Sequence, residues 1–324
     1  MNEADFIAAL RRLPLHAGAG GLLDDTASLA GLTITTDTIV EGVHFLSDDP
    51  PGDVAWKLVA VNLSDLAAKG AVPEGVLLNY PLNPTPAKAG AQFRDVSGNV
   101  PASPAKGAVA GPRPSPGWDE GFVAGLESVL LEFGARLIGG DTVSLPPGAP
   151  RVLTLTAIGR DAAAPSRSGA KAGDELWVTG TIGDAGAGLR IARGEDGPAD
   201  LLAAYRRPQP RLAEGRALAP LVHAMMDVSD GLLLDALRMA AASGLAVAID
   251  LAAVPLSPSY RAFSDDRMAA VTAGDDYQLL FAAPAGFAPP VPATRIGDFA
   301  AGVGLTLTDG AEPVPLPSTL GFQH

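Results

Sequence analysis

The chain has 324 residues, a formal net charge of -13 at pH 7 and no cysteine. The acidic excess argues against sequence-independent binding of nucleic acid, because such binding needs a basic surface. The absence of cysteine excludes disulfides, thiolate nucleophiles and cysteine-ligated metal centres.

In the first half of the chain, helical and strand patterns occur in mixed order. A short amphipathic helix is predicted over residues 3–13, and a strand over 32–36 ends just before Asp37. A longer helix is predicted over 53–70, followed by a strand at 76–80, a helix at 118–133 and a strand at 152–158. This mixture predicts an α/β (α+β) fold in which helices pack on sheets.

A second unit of the same kind follows. Strands are predicted over 174–180, 224–227, 246–250 and 277–281, and the clearest helix spans 231–243. The Gly-rich segment 180–188 is read as a tight strand-to-helix turn, because it lacks the Gly-Lys-Ser/Thr ending of a P-loop. The Pro-Pro-Gly segment at 146–148 sets the predicted boundary between an N-terminal domain over 1–148 and a C-terminal domain over 149–324.

Residues 83–117 do not fit this organisation. They contain seven prolines, five glycines and seven alanines without a hydrophobic period, and four basic residues against one acidic residue. A structureless segment of this length is uncommon inside a compact domain. We predict a flexible surface insertion; a basic tether for an anionic partner is the alternative.

The first residues and the hydropathy of the sequence indicate where in the cell the protein is expected. The first residues lack the basic start and apolar run of a secretory signal. No apolar stretch approaches the roughly 20 residues of a membrane span. We therefore expect a cytoplasmic protein with neither a membrane nor a nucleic acid as partner.

Seven short acidic clusters lie mostly at predicted strand ends or helix starts. They are Asp24-Asp25, Thr35-Thr36-Asp37, Asn62-Leu63-Ser64-Asp65, Gly139-Gly140-Asp141-Thr142, Asp227-Val228-Ser229-Asp230, Asp235 and Gly274-Asp275-Asp276. Mg²⁺ takes oxygen ligands and is usually bound together with phosphates, so the clusters together predict a magnesium–phosphate site. For any single cluster, an ordinary turn or helix cap is the alternative, because aspartate is favoured there too.

Three parts of the sequence carry most of this chemistry. Asp227 ends a predicted strand, and Ser229 or Asp230 is predicted to cap the helix that follows. Asp65 lies in mid-helix among apolar residues, where an unpaired buried carboxylate is costly and a metal ion is the obvious partner. His44 follows acidic residues and is a candidate donor to a substrate phosphate; a structural histidine is the alternative.

Taken in order, the motifs resemble thiamine-monophosphate kinase. The resemblance rests on 35–38 (TTDT), 41–45 (EGVHF), 60–68 (AVNLSDLAA), 139–142 (GGDT), 167–170 (RSGA), 178–181 (VTGT), 227–231 (DVSDG) and 276–281 (DYQLLF). It implies a two-domain fold like that of aminoimidazole ribonucleotide synthetase and a homodimer formed through the N-terminal domain. It also implies ATP-dependent phosphorylation of thiamine monophosphate to thiamine diphosphate, with several Mg²⁺ ions.

The resemblance also implies the site residues. The magnesium ligands would be Asp25, Thr35, Thr36, Asp37, Asp65, Asp141, Asp227 and Asp230. The nucleotide contacts would be Gly140, Asp141, Arg167 and Ser229, and the substrate contacts His44, Asp275 and Phe322. No general base is expected, since a phosphate monoester with a second pKa near 6 is already mostly a dianion at neutral pH.

This chain departs from the family pattern at several positions. Asp275 stands where the family usually has Glu, Leu23 where it has Gly, and 83–117 replaces a brief linker near the nucleotide site. The alternative to a kinase is therefore a non-catalytic binder of magnesium-nucleotide or thiamine phosphate, disabled by the insertion.

Overall fold

The computed structural model describes residues 3–82, 117–160 and 164–322. The predicted insertion thus lies outside the described residues, apart from Gly117. Among the described helices, none combines the length and apolar character needed to cross a membrane.

The N-terminal unit is a five-stranded sheet with helices packed on one face. Its strands follow the order β1-β2-β5-β3-β4, and only the β3–β4 pair is parallel. The elements are α1 (Glu3–Leu10), β1 (Ala27–Leu29), β2 (Leu32–Val40), α2 (Pro51–Ala68), β3 (Val72–Leu82), α3 (Trp118–Phe133), β4 (Leu137–Ser144) and β5 (Val152–Arg160).

The helix α2 forms the centre of this unit. Fourteen of its 18 residues are buried, as expected for a helix that is apolar around most of its circumference. It packs against α3, where a Cβ on Gly125 would lie 2.3 Å from the Cα of Gly52. Glycine at that position therefore permits the close approach of the two helices.

The two faces of the first sheet differ sharply. Thr35 is buried and faces α2, whereas Thr36 and Thr38 point to the opposite face and lie 2.8 Å from the hydroxyls of Thr156 and Thr154. No residue of β4 is buried. Large exposed apolar side chains gather on this outer side: Leu77, Ile138, Val143 and Val152.

The C-terminal unit is a seven-stranded mixed sheet. Its strand order is β12-β11-β8-β10-β6-β9-β7. The elements are β6 (Glu175–Thr179), α4 (Asp184–Ala192), α5 (Ala199–Arg206), α6 (Leu212–Leu218), β7 (Ala224–Asp227), α7 (Leu232–Ala242), β8 (Leu245–Asp250), α8 (Pro258–Phe263), α9 (Arg267–Thr272), β9 (Leu279–Ala283), β10 (Ala293–Ala301), β11 (Gly304–Asp309) and β12 (Glu312–Val314).

The two units share a buried interface. Ala67 and Ala68, at the end of α2, pack in one apolar cluster with Leu218 of α6, Met225 of β7 and Phe281 of β9. The helix therefore belongs to the first unit and extends into the second.

Most predicted elements are confirmed, including the two-part α/β arrangement and the tight turn before α4. The predicted boundary at 148 is corrected. β5 lies between β2 and β3 in the first sheet, so the first sheet ends at residue 160 and the second begins at residue 175. Gly139 and Gly140 are part of strand β4.

Candidate functional site

A cleft of about 1090 Å³ lies between the two units. Its walls contain every residue predicted for the site except Gly140 and Asp141, namely Asp25, Thr35, Thr36, Asp37, His44, Asp65, Arg167, Asp227, Ser229, Asp230, Asp275 and Phe322. Residues from distant parts of the chain are thereby brought to one cavity, as the scattered acidic clusters predicted.

Four carboxylates form what we call the acidic group: Asp25, Asp37, Asp65 and Asp227. They come from the loop before β1, from β2, from the last turn of α2 and from the end of β7. Thr35 Oγ1 donates a hydrogen bond to Asp65 Oδ2, and Ser64 Oγ donates one to Asp227 Oδ2. The Asn62 side chain accepts the main-chain N–H of Asp37 at 3.1 Å.

Burial and mutual repulsion oppose ionisation within this group. Burial raises the pKa of Asp227 to about 8, and the Asp25 carboxylate adds to that shift. The pKa of Asp37 is raised to about 6 for the same two reasons. Burial raises the pKa of Asp65 well above its usual range, with Asp37 the next contributor. Such a group is either protonated or balanced by a cation.

The donor set fits a hard divalent cation that also binds phosphate. Asp25 Oδ2 is buried without a hydrogen-bond partner, and it faces a cluster of carboxylates that needs positive charge. As they stand, no three Asp, Glu, His or Cys side chains within 3–82, 117–160 and 164–322 are arranged to hold one ion. Mg²⁺ commonly needs only one or two protein carboxylates, with water and phosphate as its other ligands.

Basic side chains hold the edges of the acidic group in place. Arg167 lies 3.1 Å from Asp25 Oδ1 and also donates to the Leu23 carbonyl at 2.7 Å. Lys69, buried at the end of α2, donates to Asp24 Oδ1 at 2.6 Å and to the Met225 carbonyl at 3.3 Å. The orientation of the Asp24-Asp25 pair is thus fixed from both units.

The turn before α7 is capped differently from the prediction. The N-terminal end of α7 has no side-chain cap from Ser229 or Asp230. Asp235 Oδ2 instead accepts the main-chain N–H groups of residues 229–231 at 3.0–3.2 Å. Asp230 pairs with Arg238, and its carboxylate lines the cleft. Burial raises the pKa of Asp235 to about 7.

Two family models and several known proteins match this chain over most of its length. The N-terminal domain model of AIR synthase related proteins matches residues 23–160, and the C-terminal domain model matches residues 171–310. The thiamine-monophosphate kinase of Caulobacter vibrioides is 37% identical, over 100% of this chain and 91% of the relative. That of Escherichia coli K12 is 35% identical, over 97% of this chain and 93% of the relative. The chain belongs to the thiamine-monophosphate kinase family.

Solved structures agree with this assignment. The structure described as AaThiL complexed with AMPPCP and TMP has a TM-score of 0.81 at 27% identity, covering 100% of this chain and 97% of that one. The thiamine-monophosphate kinase from Stenotrophomonas maltophilia K279a has a TM-score of 0.70 at 34% identity, covering 94% of each chain. The predicted family and fold are confirmed.

The three substrate contacts predicted for a thiamine-monophosphate kinase lie in the same cleft. His44 Nδ1 accepts the main-chain N–H of Val40 at 3.0 Å, which places the proton of the neutral ring on Nε2. The rings of His44 and Phe322 meet edge to face, with centroids 6.4 Å apart. Phe322 is held by its main-chain N–H, which donates to the Asp230 carbonyl at 2.8 Å.

Two predicted magnesium ligands, Thr36 and Asp141, and the predicted nucleotide contact Gly140 are not joined to the acidic group within one chain. The Thr36 hydroxyl points to the outer face of the sheet. Asp37 of β2 pairs with Leu155 of β5, which pairs with Leu78 of β3, and Leu78 pairs in turn with Gly140 of β4. Gly140 therefore lies three strand spacings, about 14 Å, from Asp37. Leu78 packs into the core, which leaves the next residue of β4, Asp141, on the exposed outer face.

Sequence reasoning missed several residues that support the site. Asn62 and Ser64 position Asp37 and Asp227, Lys69 holds Asp24, and Arg238 pairs with Asp230. Asn62 and Ser64 are among the fourteen buried positions of α2, and buried Lys69 directly follows its last residue. Polar side chains that are buried in a largely apolar helix need hydrogen-bond partners. Their positions in the sequence could therefore have indicated a supporting role in the site.

The raised pKa values of the acidic group predict a stability that depends on pH. Without metal or nucleotide, the folded chain holds protons that the unfolded chain releases above the ordinary pKa of 3.8. The contribution of these groups to stability should therefore be full below about pH 4 and be lost as the pH rises to about 8, the pKa of Asp227. Urea unfolding at pH 5 and pH 8 measures this.

The control for that measurement is Asp227→Asn, which should reduce the difference between the two pH values. An equal or larger difference in the variant would show that the pH dependence arises elsewhere.

Proposed function

We propose that this chain transfers the γ-phosphoryl group of ATP to thiamine monophosphate, forming thiamine diphosphate and ADP. The observation that carries the proposal is the convergence of the acidic group, Arg167 and the predicted substrate contacts in one cleft. Support also comes from the likeness, over the whole chain, to the structure described as AaThiL complexed with AMPPCP and TMP.

The proposed site uses magnesium held by Asp25, Asp37, Asp65 and Asp227, with Thr35, Thr36, Asp141 and Asp230 as further candidate ligands. Bound Mg²⁺ would neutralise the two phosphate groups and hold them in line. Thr35, Ser64 and Asn62 orient the carboxylates, because each donates to or accepts from a member of the acidic group or its main chain.

The chain's own groups account for the rest of the proposed chemistry. Arg167 contributes a fixed positive charge at the proposed nucleotide end of the cleft, which Ser229 also lines. The Nε2–H of His44 is a donor for the acceptor phosphate, and Phe322 offers an aromatic surface for the thiamine rings. The attacking oxygen belongs to a phosphate that is already mostly a dianion, so no side chain has to remove a proton.

We also propose that the chain forms a homodimer through the outer face of its first sheet. Support comes from the exposed apolar residues of that face, Leu77, Ile138, Val143 and Val152, since a large exposed apolar patch marks an interaction surface. A second copy could bring its β4, with Gly140 and Asp141, to a cleft that one chain leaves without them.

The cytoplasmic location and the absence of membrane and nucleic-acid partners stay predictions.

A coupled assay of ADP release tests the proposed activity. ADP release should depend on both thiamine monophosphate and Mg²⁺, stop with EDTA and resume when Mg²⁺ is added back. Unphosphorylated thiamine is the control and should give no ADP, because it lacks the acceptor phosphate. Calorimetric binding of ATP or thiamine monophosphate without turnover would instead support the non-catalytic binder.

A further inference from the structure

A buried lysine lies directly behind the predicted substrate contacts. Lys57, on α2, is only 2% exposed, and its Nζ lies 2.7 Å from Asp275 Oδ2 and 2.8 Å from the carbonyl oxygen of His44. Its ammonium also lies 4.2 Å from the centre of the Tyr205 ring. Lys57 is not among the residues that line the cleft, so it acts on a ligand only through its neighbours.

Asp275 is held from two sides. Lys57 occupies one carboxylate oxygen, and the Tyr277 hydroxyl donates to the other, Oδ1, at 2.9 Å. The main chain is held as well, since the N–H of Asp275 donates to the Ser229 carbonyl at 2.8 Å. Asp275 and Tyr277 have left-handed backbone angles, with φ of 68° and 49°. Non-glycine residues keep such angles only where surrounding contacts fix them.

The ammonium of Lys57 therefore joins two loops of different units. His44 follows β2 in the N-terminal unit, and Asp275 precedes β9 in the C-terminal unit. Both side chains reach the cleft. A buried ammonium that lost its carboxylate partner would be costly, so the ion pair favours the arrangement in which both loops keep their places.

We propose that Lys57 is a positioning residue for thiamine monophosphate: by fixing Asp275 and the His44 loop relative to each other, it sets the affinity for this substrate and not for ATP. The proposal rests on the proposed function for the identity of the substrate. Asp275 then presents a fixed carboxylate to the cationic and amine-bearing rings of the substrate. ATP is expected to bind at the Arg167 end. Its link to Asp275 runs through the main-chain hydrogen bond to the Ser229 carbonyl and not through the carboxylate, so loss of the ion pair should leave its affinity unchanged.

The test is to measure affinity for both substrates in Lys57→Met and Tyr277→Phe. Each variant removes one support of Asp275, and Tyr277→Phe does so without removing a buried charge. The Kd for thiamine monophosphate, measured by calorimetry, should rise about tenfold in Lys57→Met and less in Tyr277→Phe. The KM for ATP should stay within about twofold of wild type in both.

Two further variants separate positioning from general damage. Tyr205→Phe removes a buried hydroxyl that donates to Asp49, not to Asp275, and should leave the Kd for thiamine monophosphate unchanged. In an Asp275→Asn background, Lys57→Met should add little further loss, because the two residues act as a unit. Tyr277→Phe keeps the test decisive if Lys57→Met does not fold.

The outcomes distinguish this inference from the proposed function. If wild type turns over thiamine monophosphate but Tyr277→Phe and any folded Lys57→Met protein bind it as tightly as wild type, the positioning role is wrong. Equal losses of affinity for ATP and thiamine monophosphate would also overturn it. If wild type binds thiamine monophosphate without turnover, the kinase proposal fails, and the same Kd values still decide the role of Lys57.

Discussion

Asp227→Asn is expected to abolish turnover and, at the same time, to make the ligand-free protein more stable. Asp227 is only 4% exposed, and its pKa is raised to about 8, first by burial and then by the charge of Asp25. An uncharged amide removes that repulsion and keeps an oxygen that can accept from Ser64. The amide carries no negative charge, so it binds a hard divalent cation much more weakly than a carboxylate does.

The expected effects on turnover and on stability differ greatly in size. Loss of one ligand to the metal–phosphate assembly should lower kcat at least about a hundredfold. Relief of repulsion should raise the melting temperature by a few degrees, on the order of 2–4 °C per kcal/mol for a domain of 150–250 residues. The measurements are steady-state ADP release and thermal unfolding at pH 8 without Mg²⁺. Asp65→Asn should behave in the same way.

A buried aspartate outside the cleft provides the matched control. Asp174 is also 4% exposed, but its carboxylate lies 2.8 Å from His223 Nδ1 and does not line the cleft. Asp174→Asn should lose stability and keep its turnover, which is the opposite pattern. If Asp227→Asn and Asp65→Asn both kept more than about a tenth of wild-type turnover, their proposed role as ligands would be rejected.

The positions of individual residues in the structure show what could and could not be predicted from the sequence. Asp65 was expected to need a partner because it interrupts an apolar helix, and it lies in the cleft with Asp37 as an electrostatic neighbour. Local chemistry was sufficient there. Lys57 and Ser64 interrupt the same helix and carried the same signal, but their partners, Asp275 and Asp227, lie 218 and 163 positions away.

Non-local pairing explains the other differences. β5 was assigned to the second domain because a Pro-Pro-Gly turn precedes it, yet it pairs with β2, more than a hundred residues earlier in the chain. Strand order is set by such long-range pairing, and hydrophobic periodicity within one strand does not contain it. The capping prediction considered the residues before α7, whereas Asp235, one turn inside the helix, accepts the N–H groups.

Two inactive variants, Asp65→Asn and Asp141→Asn, are expected to restore each other when they are mixed as subunits. In one chain Asp141 lies on the exposed outer face of the sheet, about 14 Å or more from Asp37. If it serves the site at all, it must come from a second copy. A mixed dimer would then have one site carrying both substitutions and one site with both aspartates intact.

The mixed dimers should recover a defined fraction of wild-type turnover. Purification through both tags keeps only mixed dimers, and each has one intact site of two, so about half of wild-type turnover should return. The measurement is ADP release after co-expression with two affinity tags and purification through both. Asp65→Asn with Asp227→Asn is the control, because both residues line the cleft of one chain and no pairing restores a complete site. No recovery in the first mixture, or full activity of Asp141→Asn alone, would show that Asp141 does not complete the site from a second subunit.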